Sequence, residues 1–235
     1  MSEELFRSLG AKPTVLNGLV GQDEGDTIVW NFGLAMPGLV AKGDKAGPSV
    51  YEVAPHIKGR WDRKTDVSMF EVAKKVLGKY IPAQRQTSGT CGSRATSGLL
   101  NHLQCVQIAA GKFKDYKPVS HAWIYGGARE ITGLLGGGDG VIPPSPITWC
   151  QQKGVLTQEE AKDSDYYSDR VADQWGRSGP PRSLLPEASD NLVVEAATCR
   201  SFDEAADVIA SGGLIAVASN RGFTMTRDKY GVCQP

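Results

Sequence analysis

The sequence predicts an α+β protein, and three observations carry that prediction. Helical periodicity runs through the middle of the chain, strand-like runs appear near its end, and a Ser-, Asp-, Gly- and Pro-rich loop at about 163–190 divides the two. At 235 residues the chain is long enough to bury a sizeable core. Lys+Arg and Asp+Glu both number 26, so the formal charge is zero and nothing in it points to nucleic acid or an anionic membrane surface as a partner.

Taken in order, residues 1–65 are rich in Gly and Pro, with one strand-like run at Thr27–Phe32. Residues 1–80 therefore read as an N-terminal extension or arm. A helix is expected over Val67–Lys79, capped by Asp66, with Met69, Phe70, Ala73, Val76 and Leu77 at helical spacing and Pro82 ending it. The next helix is longer. Cys91, Ala95, Leu99, Leu103, Val106 and Ala110 form one stripe, with Ser88 and Thr90 as candidate caps and Gly111 as terminator. A helix over His121–Thr132 follows, then one with Ser145 as N-cap, Pro146 at its first position and Gly154 as terminator. Residues 81–186 thus read as a helical subdomain.

After the polar loop, in which the tyrosines and the Trp175 region are expected to pack against the prolines, the pattern changes. "NLVVEAA" reads as a strand, Ser201 with Glu204 as a capping box for "FDEAADVIAS", and Leu214–Ser219 as a buried strand. Residues 187–235 read as the start of a β-rich subdomain that is incomplete.

The N-terminus shows no charged-then-apolar signal, and no apolar run approaches the roughly 20 residues of a membrane-spanning helix. The five cysteines are scattered, an odd number cannot all pair, and no Cys/His cluster suggests zinc. The expectation is a protein of the cytoplasm or of an assembled particle, needing no metal and no cofactor.

The stretch "QTSGTCGSRATSGLL", Gln86–Leu100, carries the chemistry. Cys91 opens a helix, where unpaired N–H groups and the macrodipole favour thiolate over thiol. Gly89 lets a substrate backbone approach closely. Gln84 or Gln86 could send an amide over the helix start and, with the Cys91 N–H, stabilise an oxyanion. The bland alternative is a small buried thiol beginning a core helix. "LLGGGDGV" lacks the Lys-Ser/Thr of a phosphate-binding loop, and a plain interhelical turn is the other reading of it.

This segment resembles the active-site stretch of papain-like cysteine peptidases, where a Gln precedes a Gly-Ser-Cys that opens a long central helix. "PVSHAWIYGGARE" is similar to the family's Leu-Ser helix start, and "GGGDGVIPPSPITWCQQKGV" to its glycine-rich cleft segment. "SGGLIAVASNRGFTMTRDKYGVCQP" is similar to its strand and Tyr-x-x-Gly-Ile/Val-Cys segment. The resemblance covers about Ala83 to Pro235. It implies a papain-like fold and a thiol peptidase or amidase, with transferase or deamidase chemistry open to the same acyl-enzyme. Cys91 would be the nucleophile and Gln86 the oxyanion donor. Gly138 and Gly140 would line the cleft, with Asp139 biasing it toward basic peptide or protein substrates.

Departures qualify it. Gly92 follows the cysteine where the family usually has Trp, and Gln86 lies one position nearer the cysteine than usual. A second register matches "GTCGS" to the family's earlier, disulfide-forming cysteine and places Arg94 at the nucleophile position, which would make a non-catalytic relative.

A general base must also be found. His102 lies eleven residues beyond Cys91, about 16 Å along the axis, too far to touch it. His121 reads as an N-terminal helix residue, and His56 falls in the weakly patterned part. In the family the base follows the Tyr-x-x-Gly-Val-Cys segment, so the His is expected from a segment beyond Pro235, a C-terminal fragment or a larger assembly. The competing reading is an inactive papain-like structural or attachment protein of a phage-like particle.

Overall fold

The structure is a computed structural model. It describes residues 29–32 (as backbone), 49–62, 64, 67–83, 86–163, 169–193 and 195–217. Gln84, Asp66 and the segment 218–235, with Cys233 and the Tyr-x-x-Gly-Val-Cys run, lie outside the described residues.

The helical part is built around α3 (Cys91–Ala109). The earlier elements are β1 (Val29–Phe32), α1 (Val50–Val53) and α2 (Met69–Leu77). After α3 come α4 (His121–Ile131), α5 (Ser145–Lys153), α6 (Arg170–Ser178) and α7 (Leu185–Ser189). Then β2 (Glu195–Thr198), α8 (Phe202–Ala210) and β3 (Ile215–Ala216) close the described chain. The mixture is helix-rich with few strands, an α+β architecture.

The three strands form one sheet in the order β2-β1-β3, all parallel. Val29 is in register with Glu195, and Asn31 with both Ala197 and Ile215. The run read from sequence as strand-like within an arm therefore supplies the middle strand. Residues 49–61 follow it onto the same part of the molecule: Val50, Ala54 and Ile57 share a buried cluster with Ala197, Cys199, Ala205 and Val208.

The main core lies where α3, α4, α5 and α6 meet, around Leu99, Trp123, Trp149, Cys150, Leu156 and Trp175. Trp123 packs edge-on to Trp175 at 6.4 Å and tilted to Trp149 at 5.3 Å between centroids. Trp175 is thus a core residue rather than packing for the polar loop. Gly127 is required here, because a Cβ at that position would fall on the Trp149 ring.

Several sequence expectations are corrected. The helix expected over Val67–Lys79 starts at Met69 and stops at Gly78, whose φ of 73° is left-handed, so Pro82 plays no part in ending it. Its buried face is Met69, Val72 and Ala73. Phe70 is 61 % exposed and meets His102 edge-on at 4.8 Å. The α3 stripe turns outward at its start: Cys91 and Ala95 are exposed while Ser93, Arg94, Thr96 and Ser97 are buried. Polar side chains can be buried there because partners from other segments meet them.

Ser145 is the first residue of α5, not its cap; its hydroxyl donates to the Ile142 carbonyl. Ser201 accepts from the Glu204 N–H, but the Glu204 carboxylate takes the N–H of Arg200, so the expected box closes one residue early. The loop at 163–190 contains α6 and α7. Only Ala172, Trp175 and Gly176 are buried on α6, too few apolar positions for a periodic signal.

Candidate functional site

Cys91 is the first helical residue of α3 and is exposed. Thr90 holds the N-cap position, but neither it nor Ser88 caps the helix with a side chain. The first-turn N–H groups therefore receive no side-chain cap. The other thiols among the described residues differ. Burial pushes Cys105 up to about 11, Cys199 up to about 12, and Cys150 higher still.

The Thr90 hydroxyl turns inward because a carboxylate waits there. Asp169, just before α6, accepts from the Thr87 N–H at 2.7 Å, the Thr87 hydroxyl at 2.8 Å, the Ser88 N–H at 3.1 Å and the Thr90 hydroxyl at 3.0 Å. Arg94, one turn into α3, donates to it from Nε at 3.1 Å and Nη2 at 2.6 Å. Burial alone would raise the Asp169 carboxyl. The Thr87 groups, the Arg94 guanidinium and the Thr90 hydroxyl outweigh it and hold the carboxyl far below the usual range. One carboxylate thus fixes the chain on both sides of Cys91.

His121 lies under this network, fully buried. Its Nε2 is 3.2 Å from Asp169 Oδ1. Its Nδ1 is 3.4 Å from Asp163 Oδ2 without a hydrogen bond forming. Burial and the nearby Arg94 charge push its pKa down to about 4, so it is neutral at neutral pH. Burial raises Asp163 to about 6, against the hydrogen bonds from the Ser120 hydroxyl and the Ala122 N–H. Both ring nitrogens therefore face carboxylates. His102 points its Nδ1 at the Gly98 carbonyl, 2.8 Å away, and His56 is exposed in a short 3₁₀ turn.

The glycine-rich loop lies alongside. A Cβ on Gly89 would come within 2.5 Å of Asp139 Cβ and 2.6 Å of the Gly140 nitrogen, so only glycine allows the two segments to touch. Arg129 of α4, 2 % exposed, holds the loop from beneath. It donates to the carbonyls of Gly140 and Gly137, both at 2.7 Å, of Gly176 at 2.8 Å, and of Leu134. The Gly140 N–H donates to the Tyr125 hydroxyl at 3.2 Å. Gly140 thus has both backbone groups engaged internally, whereas Gly138 and Asp139 line a concavity of about 440 Å³ with Tyr125, Asp173 and Arg177. Gln86 is exposed, and its Nε2 donates to the Ser88 carbonyl at 2.7 Å, two residues on.

The structure therefore brings together the segment of Gln86 and Cys91 and the loop of Gly138 and Gly140. The sequence reading missed Asp169, Asp163 and Arg129. Arg94 lies off the apolar stripe, so the sequence carries no local signal of its burial, which calls for a carboxylate from elsewhere. Which of the 26 acidic residues supplies it is not written locally.

Among the described residues there is no group of side chains suited to a metal ion, and no helix is long and apolar enough to cross a membrane. No family model matches the chain, and no curated protein matches it. A structural comparison finds xylellain, a cysteine protease from Xylella fastidiosa, at 18 % identity and a TM-score of 0.43. The alignment covers 59 % of this chain and 56 % of that one, so the likeness spans little more than half of either.

Proposed function

We propose that the chain is the nucleophile-bearing part of a papain-like thiol peptidase or amide hydrolase. The observation that supports this most is the exposed Cys91 thiol on the uncapped start of α3, with the glycine-rich loop against it. The Cys91 sulfur attacks a peptide carbonyl. The C–N bond breaks, the amine leaves with a proton, and an acyl-enzyme remains for water to release. First-turn N–H groups of α3 would receive the oxyanion, with Gln86 joining once its amide leaves the Ser88 carbonyl. Gly138 and Asp139 would border the substrate. Gly140 would shape the loop that carries them. The base would be a histidine beyond Pro235, because His121 is fully buried with its Nε2 on Asp169.

One observation favours a second reading. Arg94, which the alternative register places at the nucleophile position, is locked into a buried ion pair with Asp169. In that register the chain is a papain-like structural or attachment protein of a larger, phage-like assembly. Cleavage of a mixed peptide pool by the native protein, compared with a Cys91→Ala variant, separates the two. The peptidase reading expects cleavage that disappears with Cys91. Intact native protein that cleaves nothing, or a variant that still cleaves, removes it.

A further inference from the structure

Two segments meet beside Cys91, and both are tied to α6. Asp169, just before α6, takes the Thr87 and Ser88 N–H groups and so fixes the chain leading to the thiol. Near the other end of α6, the Gly176 carbonyl accepts from Arg129 Nε at 2.8 Å. The rest of that guanidinium reaches the glycine-rich loop, at the carbonyls of Leu134, Gly137 and Gly140. The loop in turn lies against Gly89.

Little else holds the loop. A Cβ on Gly136, Gly137 or Gly138 would meet nothing within 4 Å, so packing does not fix this stretch. Among the described residues, the sole hydrogen bond to 136–139 is the one from Arg129 to Gly137. The Gly140 N–H adds a bond to Tyr125, one turn before Arg129 on α4. Arg129 pairs with no carboxylate among the described residues. Its buried charge is met by carbonyl oxygens alone, through charge-assisted bonds that are stronger than neutral ones.

We propose that Arg129 is a positioning residue for acyl-group selection: it sets the glycine-rich loop against the Cys91 segment, so that the cleft takes an extended peptidyl acyl group in preference to a small one. Gly138 and Asp139 touch the substrate, and Arg129 acts through them. This role rests on the reading of Cys91 as a nucleophile.

Two esters with one leaving group test it, p-nitrophenyl acetate and the p-nitrophenyl ester of N-acetyl-alanyl-alanine. With either, the Cys91 sulfur bonds the acyl carbon, the C–O bond breaks, nitrophenolate leaves and the thiol proton passes to buffer. The rate of Cys91 acylation in the full chain is read by mass spectrometry. The expected result is a preference for the dipeptidyl ester of roughly tenfold or more. Arg129→Lys keeps a cation that cannot span the same carbonyls and should reduce the preference to about twofold. General destabilisation changes both rates together and leaves their ratio alone. A second measurement needs no variant: the Arg129 Nη–H NMR signals of the parent should be resolved and slow to exchange, and should shift when Cys91 carries the dipeptidyl group but not when it carries acetyl. The role of Arg129 is overturned, with the nucleophile left standing, if Cys91 is acylated but the two esters react alike, if the preference survives Arg129→Lys, or if the Nη–H signals exchange freely with solvent. Failure of both esters to acylate Cys91 removes the nucleophile and this role with it.

Discussion

Asp169 and Asp207 are both buried carboxylates that gather donors from a segment distant in sequence. Asp207, on α8, accepts from the Gly59 N–H at 2.6 Å, the Trp61 N–H at 2.7 Å and the Tyr51 hydroxyl at 2.7 Å. Its partners are neutral, and together with burial it pushes the Tyr51 hydroxyl well above its ordinary range. Asp169 does the same for Thr87, Ser88 and Thr90, then adds the Arg94 guanidinium and the His121 ring. The first clamp closes around a turn that ends at a tryptophan. The second closes around the start of a helix that carries an exposed thiol. Asp169 differs from Asp207 in also holding a cation and an imidazole.

Mutating the two clamps separates their roles. Asp169→Ala strands Arg94 as an unpaired buried cation and should cost about 3–5 kcal/mol in chemical denaturation. It should also erode the selective alkylation of Cys91 over the three buried thiols, read by mass spectrometry. Asp207→Ala leaves only neutral donors unmet and should cost about 1–3 kcal/mol. Cys91 alkylation should not change in that variant. Equal losses, or equal effects on Cys91, would make the two clamps the same device.

A smaller effect probes the contact between the clamped segment and the glycine-rich loop. Gly89→Ala forces a Cβ against Asp139 and the Gly140 backbone and should cost about 1–3 kcal/mol. Crosslinking between the two segments should weaken. If the variant is as stable as the parent, the segments do not touch as described.

A further effect is in pH. The unfolded chain protonates His121 near 6.5 and the folded chain only near 4, so this group loses stability as pH falls through that window. Asp163 runs the other way. It takes its proton near 6 when folded and 3.8 when unfolded, so it adds stability as pH falls. Between about 4 and 6 the two oppose each other. Asp163→Asn removes the gain and keeps the loss, so its Tm should fall more steeply than the parent's from pH 6 to 4. Parallel curves would show that Asp163 contributes no such gain.

The contrast between the clamps also explains what the sequence could disclose. The helices around Leu99, Trp123 and Trp149 were legible, because apolar spacing and Gly or Pro punctuation are local signals. Cys91 was legible for the same reason, as the residue that opens a long helix. Its exposure was not. The apolar stripe that placed Cys91 in line with Leu99 says nothing of the carboxylate that lets Ser93 and Arg94 take the buried side. Asp169 lies 75 residues from Arg94, in a stretch whose composition reads as loop. The pairing of β1 between β2 and β3 was hidden likewise, since a parallel partner some 166 residues away leaves no mark beside Val29. Long-range polar contacts decide both, and they have no period.

In the function we propose, Cys91 is a nucleophile poised by the Asp169 clamp. Intact-mass analysis of the folded protein mixed with p-nitrophenyl acetate tests it most directly. One acetyl group is expected, located on Cys91, absent from Cys91→Ala and formed more slowly in Asp169→Ala. No adduct, or acetyl groups spread over lysines with Cys91 left bare, would contradict it.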